Sequence, residues 1–278
     1  MPNGYTYSLL KNQMSCTRSS STETTAPDFH LHNYYEIFLL LDGEITFLIE
    51  DQRWQLTPGD LVFLNDREIH KSINPGGKMY SRYGMHFNPA LLSSFGGEGA
   101  ENLLLAHFDR STGPAVIHLE EPALRAAEEK FAAIARDLAA GTAEGFIQAQ
   151  ANLALLLCSF VPARGITPQL PRTHSFSDRV IAYLQAHTTE PFSLEHLEEV
   201  FSVNKHHLCR RFKQETGGTI YNYLLLKRIA LAQALLARGE SVSAAGEAAG
   251  FSDYANFIRS FKKQTGMSPG QYRKKYGA

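Results

Sequence analysis

Near the start of the chain, four side chains have the types and spacing of a ligand set: His30, His32 and Glu36 in "HLHNYYEIF", and His70 in "REIHKSI". Read as a strand, positions an even number apart project to one face. His30, His32 and Glu36 are therefore expected on a common side, where a facing strand can deliver His70. Three imidazoles and a carboxylate can bind a divalent transition metal. They can equally hydrogen-bond a small polar effector, or be satisfied histidines of a core or rim. Tyr34 and His86, the latter between Met85 and Phe87, are placed to face the same pocket. With Tyr34, the rings of Tyr35, Phe38, Trp54, Tyr80 and Tyr83 could line a site for a sugar or other polyol, or could be ordinary core.

The elements that must position these groups read as strands. The runs "EIFLLL", "EITFLIE", "RWQL", "DLVFL" and "SRYGMHF" are separated by "DG", "EDQ", "TPGD" and "NPGG", the pattern of a β-sandwich or barrel. The spacing His30-x-His32-x3-Glu36-x6-Gly43, with His70 eleven residues after Gly59 and Asn74 four further on, resembles the two cupin motifs. Asn65 and Arg67 stand where the second motif has Pro and Gly, a departure that bears on metal binding, because an arginine near the cluster would repel a cation. Beyond the strands, Pro122 opens a helix with one apolar stripe, Leu124, Ala127, Phe131, Ile134 and Leu138. The next, "AEGFIQAQANLALLLCSFV", carries two apolar faces. The second, with Ile147, Ala151, Ala154, Leu155 and Cys158, suits a partner subunit.

Farther along, "CRRFKQETG" at 209–217 and "IRSFKKQTG" at 258–266 share Arg, Phe, Lys, Thr and Gly at equal offsets. Each ends in a glycine fit for a left-handed helix cap, and each follows a shorter serine-capped segment, from Ser193 and from Ser241. Helix, tight turn and second helix is the helix-turn-helix pattern, here twice. The stretch from Thr219 to Arg238 holds neither Gly nor Pro and reads as one spacer helix of roughly 30 Å, near the ~34 Å between successive major-groove faces.

The stretch "GFSDYANFIRSFKKQTGMSPGQYR" resembles the second helix-turn-helix signature of the AraC family of transcription regulators. The resemblance implies a seven-helix DNA-binding domain from about 177 to the C-terminus. It also implies DNA contacts at Lys205, His206, Cys209, Arg210 and Lys213 in the first head, and at Asp253, Tyr254, Ala255, Arg259 and Lys262 in the second. Glu198 and Gly246 stand where the family usually has Ala, and Ala245 and Ala249 replace larger apolar residues. This small-residue support helix predicts a looser second head.

Charge divides the chain the same way. Residues 171–278 hold 15 Lys/Arg against 9 Asp/Glu, a net of +6, whereas residues 1–170 hold 12 against 19, a net of −7. A basic half suggests a polyanionic partner. Three scattered cysteines, Cys16, Cys158 and Cys209, encode neither a disulfide framework nor a zinc ribbon and fit a cytoplasmic protein. The longest apolar run is about half the ~20 residues that span a bilayer. The expected fold is α+β: a cupin-like β-barrel sensing domain (1–121) with two dimerisation helices (122–161), a linker (162–176), then an all-α double helix-turn-helix domain (177–278). The expected function is an effector-responsive transcription regulator, not an enzyme. Its partners would be double-stranded DNA, a small-molecule effector, a second subunit and RNA polymerase, with no membrane; no cofactor is required, and a divalent transition metal is an optional component. The competing class is a metal-dependent cupin enzyme using His30, His32, Glu36 and His70.

Overall fold

The computed structural model describes residues 13–23, 28–32, 34–74, 76–93, 95, 103–111, 113–161 and 175–277. Two antiparallel sheets lie in the N-terminal half. One has the order β1 (Met14–Ser21), β7 (Tyr80–Phe87), β2 (Tyr35–Asp42), β5 (Asp60–Leu64), β8 (Val116–His118); the other runs β4 (Gln52–Leu56), β3 (Ile45–Ile49), β6 (His70–Ile73). Both faces of the large sheet are covered, which is why β2 and β5 read as nearly continuous apolar runs. Phe38, Leu40, Val62 and Leu64 meet Phe47, Trp54 and Leu56 of the small sheet. On the reverse face, Ile37, Leu39, Leu61 and Phe63 meet two helices. The expected barrel takes the form of a sandwich: among the described residues no strand pair hydrogen-bonds one sheet to the other.

Those helices are α1 (Glu121–Ala139), with Pro122 in its first turn, and α2 (Ala143–Phe160), capped by Thr142. Ala127, Phe131 and Ile134 of α1 and Ala149, Leu153, Leu156 and Phe160 of α2 are buried in one core with the sheet. Ile147 and Leu155 on the far side of α2 are 64% and 56% exposed, while Ala154 of that second face is buried. Of the expected linker at 162–176, residues 162–174 lie outside the described residues.

Seven helices follow: α3 (Phe176–Ala186), α4 (Leu194–Phe201), α5 (Lys205–Thr216), α6 (Ile220–Ala237), α7 (Val242–Ala248), α8 (Tyr254–Thr265) and α9 (Pro269–Tyr276). The sequence repeat is a structural repeat. Leu208 and Phe212 of α5 correspond to Phe257 and Phe261 of α8, all fully buried. Thr216 and Thr265 each bond back to the phenylalanine carbonyl four residues earlier, and Gly217 and Gly266 close the helices at φ 71° and 75°. The spacer α6 is continuous over 18 residues, about 27 Å.

The expectation of a loose second head is not met. A Cβ on Gly246 would stand 2.7 Å from the Phe257 ring, and Ala245 and Ala249 are fully buried. Small residues on α7 let the bulky α8 ring approach the helix backbone, so the volume missing from one helix is filled by the other.

Candidate functional site

His30, His32, Glu36 and His70 converge: one ligand atom from each lies within 4.8 Å of every other. The route differs from simple alternation along one strand. Glu36 stands on β2, but His30 and His32 lie on an extended segment before it, and only His30 pairs, in an isolated bridge with His70 at the start of β6. His30 N–H donates to the His70 carbonyl at 3.3 Å and the reverse bond is 3.2 Å. Residues 28–32 and 69–71 therefore make a short two-stranded ribbon at the edge of the sandwich.

Glu36 is the hub. Its Oε2 is 2.9 Å from His32 Nε2, 3.3 Å from His70 Nε2 and 3.4 Å from His86 Nε2. His86, on β7 opposite Glu36, closes the cluster from the large sheet. Tyr34 stacks on His32 at 3.8 Å between centroids. Of the other expected lining rings, Phe38, Trp54 and Tyr80 pack between the sheets, whereas Tyr35 and Tyr83 pack against Phe108 and Phe131 on the reverse face. Arg67 is exposed and paired with Asp66, and Asn65 bonds the Phe108 carbonyl, so the two departures from the second cupin motif lie outside the cluster.

In three of the histidines the outer ring nitrogen faces a backbone carbonyl. His30 Nδ1 is 3.2 Å from the Asp28 oxygen, His32 Nδ1 2.9 Å from that of Tyr34, and His70 Nδ1 3.0 Å from that of Glu68. A carbonyl only accepts, and so does the ionised Glu36 carboxylate on the Nε2 side, so the His32 ring lies between two acceptors, the Tyr34 carbonyl and Glu36 Oε2, and the His70 ring between the Glu68 carbonyl and Glu36 Oε2. Burial keeps His30 well below its usual pKa and His32 at about 4. For His70, burial opposes protonation, but the Glu36 hydrogen bond and charge outweigh it and raise the pKa. Burial also acts to raise Glu36, yet the charge of His86 and hydrogen bonds from the three rings hold its carboxyl well below the usual range.

The expected DNA-contacting residues occupy matching places on the two second helices. His206, Arg210 and Lys213 of α5 and Ala255, Arg259 and Lys262 of α8 are exposed. Lys205 pairs with Glu195 of α4, and Cys209 is half-buried against the helical core. Tyr254 is 56% exposed, and the Asp253 carboxylate caps α8 by accepting from Asn256 N–H at 3.1 Å.

Spacing gave no sign of a third set of residues. Phe29 and Leu31, which alternate with His30 and His32, are buried in the core of the helical half. Asn222 Nδ2 of α6 donates to the Phe29 carbonyl at 3.0 Å, and Gln264 Nε2 of α8 to that of Leu31 at 2.8 Å. Glu50 takes Lys227 Nζ at 2.7 Å and Gln185 Nε2 at 3.2 Å. Each contact joins residues more than a hundred positions apart, a distance no local periodicity reports.

A sandwich with a buried polar cluster, docked on a helical half that presents two basic recognition helices, defines a ligand-responsive DNA-binding protein. Residues 13–137 match the AraC-like ligand binding domain family and residues 197–275 match the helix-turn-helix domain family. The chain belongs to the AraC family of transcription regulators. It is 27% identical over 251 residues to the HTH-type transcriptional activator RhaR of Klebsiella pneumoniae, covering 88% of this chain and 87% of that one. It is 26% identical over 230 residues to the HTH-type transcriptional regulator YbfI of Bacillus subtilis, covering 82% and 80%. Among solved structures, ToxT from Vibrio cholerae aligns over 96% of this chain and 98% of its own at 12% identity and a TM-score of 0.36. Among the described residues no helix is long and apolar enough to cross a membrane.

Proposed function

We propose that this regulator senses its effector at the His30–His32–Glu36–His70 cluster, with His86 and Tyr34 beside it, and reads DNA through the exposed side chains of α5 and α8. The observation that carries the reading is the equivalence of the two heads. Arg210 and Arg259, each two residues before a buried phenylalanine, are exposed at the same place on successive recognition helices. A protein-pairing bundle has no need of a repeated basic position, whereas two major-groove readers do. The protein acts in the cytoplasm as a homodimer through the exposed Ile147 and Leu155 side of α2, contacts RNA polymerase when bound, and catalyses no reaction.

Gel-shift of the full chain on the intergenic DNA upstream of its own gene tests this. Retarded, salt-sensitive complexes with that DNA, and much weaker ones with unrelated duplex, are expected. Equal affinity for both would refute sequence-specific reading.

A further inference from the structure

Along β7, Tyr80, Arg82, Gly84 and His86 alternate onto the face of the large sheet that looks toward the small one. Tyr80 belongs to the apolar core between the sheets, and Glu36 and Phe38 of β2 stand opposite His86 and Gly84. Directly paired residues of antiparallel strands share a side, so the face is fixed. Arg82 does not suit it. The neighbouring inward positions of β2 and β5, Phe38, Leu40, Val62 and Leu64, are apolar and buried, and arginine is seldom set against such a face unless it is paired. Among the described residues the half-buried Arg82 forms no ion pair and donates no hydrogen bond. Its guanidinium lies over the Phe38 ring, 5.2 Å from the centroid. Arg53 and Arg110 of the same half are paired, with Asp178 and Glu68.

Gly84 makes the room. A Cβ there would stand 2.9 Å from Arg82 Nη1, so the guanidinium lies across the space that a side chain would take. On the edge strand β1, Ser15, Thr17 and Ser19 pair in turn with His86, Gly84 and Arg82, which sets a row of hydroxyls on the same face. Ser15 Oγ is 3.5 Å from His86 Nδ1, Thr17 is exposed and Ser19 half-buried. Tyr34 packs edge-on against His86 at 4.6 Å between centroids. Together these groups form a strip along the sheet edge, with a guanidinium at one end, the imidazole cluster and Tyr34 at the other, and hydroxyls between.

The chemistry of the strip selects its ligand. Glu36 is committed to the imidazoles of His32, His70 and His86 and leaves Arg82 uncompensated. A guanidinium stays charged at every physiological pH, and its planar fork matches a carboxylate through two parallel hydrogen bonds. Against an aromatic ring, with water partly excluded, that pairing is stronger than in bulk solvent. A cation is repelled there, and an uncharged polyol leaves the charge unmatched. Hydroxyls and imidazoles donate as well as accept, which suits them to a ligand's own hydroxyl groups. We propose that the effector is a small organic acid bearing hydroxyls, its carboxylate held by Arg82 over Gly84 and its hydroxyls bound by the β1 row and His86. The assignment rests on the reading of the Glu36 cluster as the effector site and names the class of molecule that reaches it.

The test is calorimetric titration of the full-length protein with D-galacturonate, D-gluconate, L-tartrate and L-lactate, and with D-galactose and D-glucose as uncharged counterparts. At least one acid is expected to bind, and the neutral sugars at least about 10-fold more weakly. Arg82→Gln should weaken the acid by about 10–100-fold and remove its advantage over the sugars. Arg82→Lys keeps the charge without the fork and should fall between. Gly84→Ala leaves every polar group in place and should also weaken the acid, because the new methyl displaces Nη1. Without ligand, Arg82→Gln should melt no lower than wild type, since it removes an unpaired charge; a lower melting temperature with acid affinity retained assigns Arg82 to the fold and overturns the proposal. Binding of none of the acids, or equal affinity for acids and sugars, overturns it as well. His70→Gln separates the underlying reading. Acid binding that survives this variant and still depends on Arg82 keeps the organic-acid class and removes the Glu36 cluster from the site. Sugar binding lost in His70→Gln and indifferent to Arg82 keeps the cluster and refutes the class.

Discussion

His32 illustrates how one residue's surroundings set a measurable property. Its ring is buried and its pKa is about 4, against about 6.5 in an unfolded chain. Between those values the unfolded chain binds a proton that the folded chain refuses, and His30 behaves in the same direction. Their contribution to stability is thus complete above about pH 6.5 and, for His32, declines as pH falls towards 4. His70, raised rather than lowered by its Glu36 hydrogen bond and charge, acts in the opposite sense, gaining stability as pH falls through about 6.5, and offsets part of the loss from the two lowered histidines. In chelator-treated protein, urea melts at pH 7.0, 6.0 and 5.0 should show falling stability, and His32→Gln should flatten the slope. Arg210 and Arg259 belong to the same scale. Either arginine replaced by Ala should cost about 1–3 kcal/mol of operator affinity if it is bidentate to a guanine, and should relax preference at one base pair in that head's half-site. Footprinting on randomised half-sites checks this.

Among elements, α7 shows packing overruling propensity. Gly246→Ala removes a helix-interior glycine, which by propensity alone would gain up to about 1 kcal/mol. The new methyl would meet the Phe257 ring at 2.7 Å, an overpacking whose usual cost is about 1–3 kcal/mol. A lower melting temperature is therefore expected for the variant, together with weakened binding at the second half-site. Element α2 makes the opposite case, a face that the other described residues leave uncovered. Ile147 and Leu155 project from a helix whose other side is sealed into the sandwich core. Leu155→Glu places a charge where a second subunit would bury it, and light scattering at micromolar concentration should show the wild-type dimer replaced by monomer.

For the whole molecule, charge and docking act together. The basic half, net +6 over residues 171–278, is joined to an acidic half of net −7, and among the described residues two ion pairs, Glu50 with Lys227 and Arg53 with Asp178, cross between them. DNA affinity should therefore fall steeply and linearly with the logarithm of salt concentration as Lys and Arg displace counterions. Filter binding between 50 and 200 mM salt measures the slope, and Lys262→Ala should reduce it by about one contact.

The sequence by itself determined what local rules encode. Alternation marked the strands, glycines at matched offsets marked the ends of α5 and α8, and a repeated Arg-x-Phe-Lys placed the basic faces. It also brought His70 to the right company, although the strand argument gave His30 and His32 the wrong element. Tertiary structure decided the rest. Whether Gly246 is a weakness depends on Phe257, which the sequence places eleven residues away and the fold places in contact. Whether Arg67 disturbs the cluster depends on the direction of a turn, and it points to solvent. The dual role of residues 29–32, imidazoles to one side and apolar anchors to the other, rests on partners such as Asn222 and Gln264. A chain's periodicity reports which face of a segment is buried. It does not report against what, because that partner is chosen by packing between segments that meet only after each has formed.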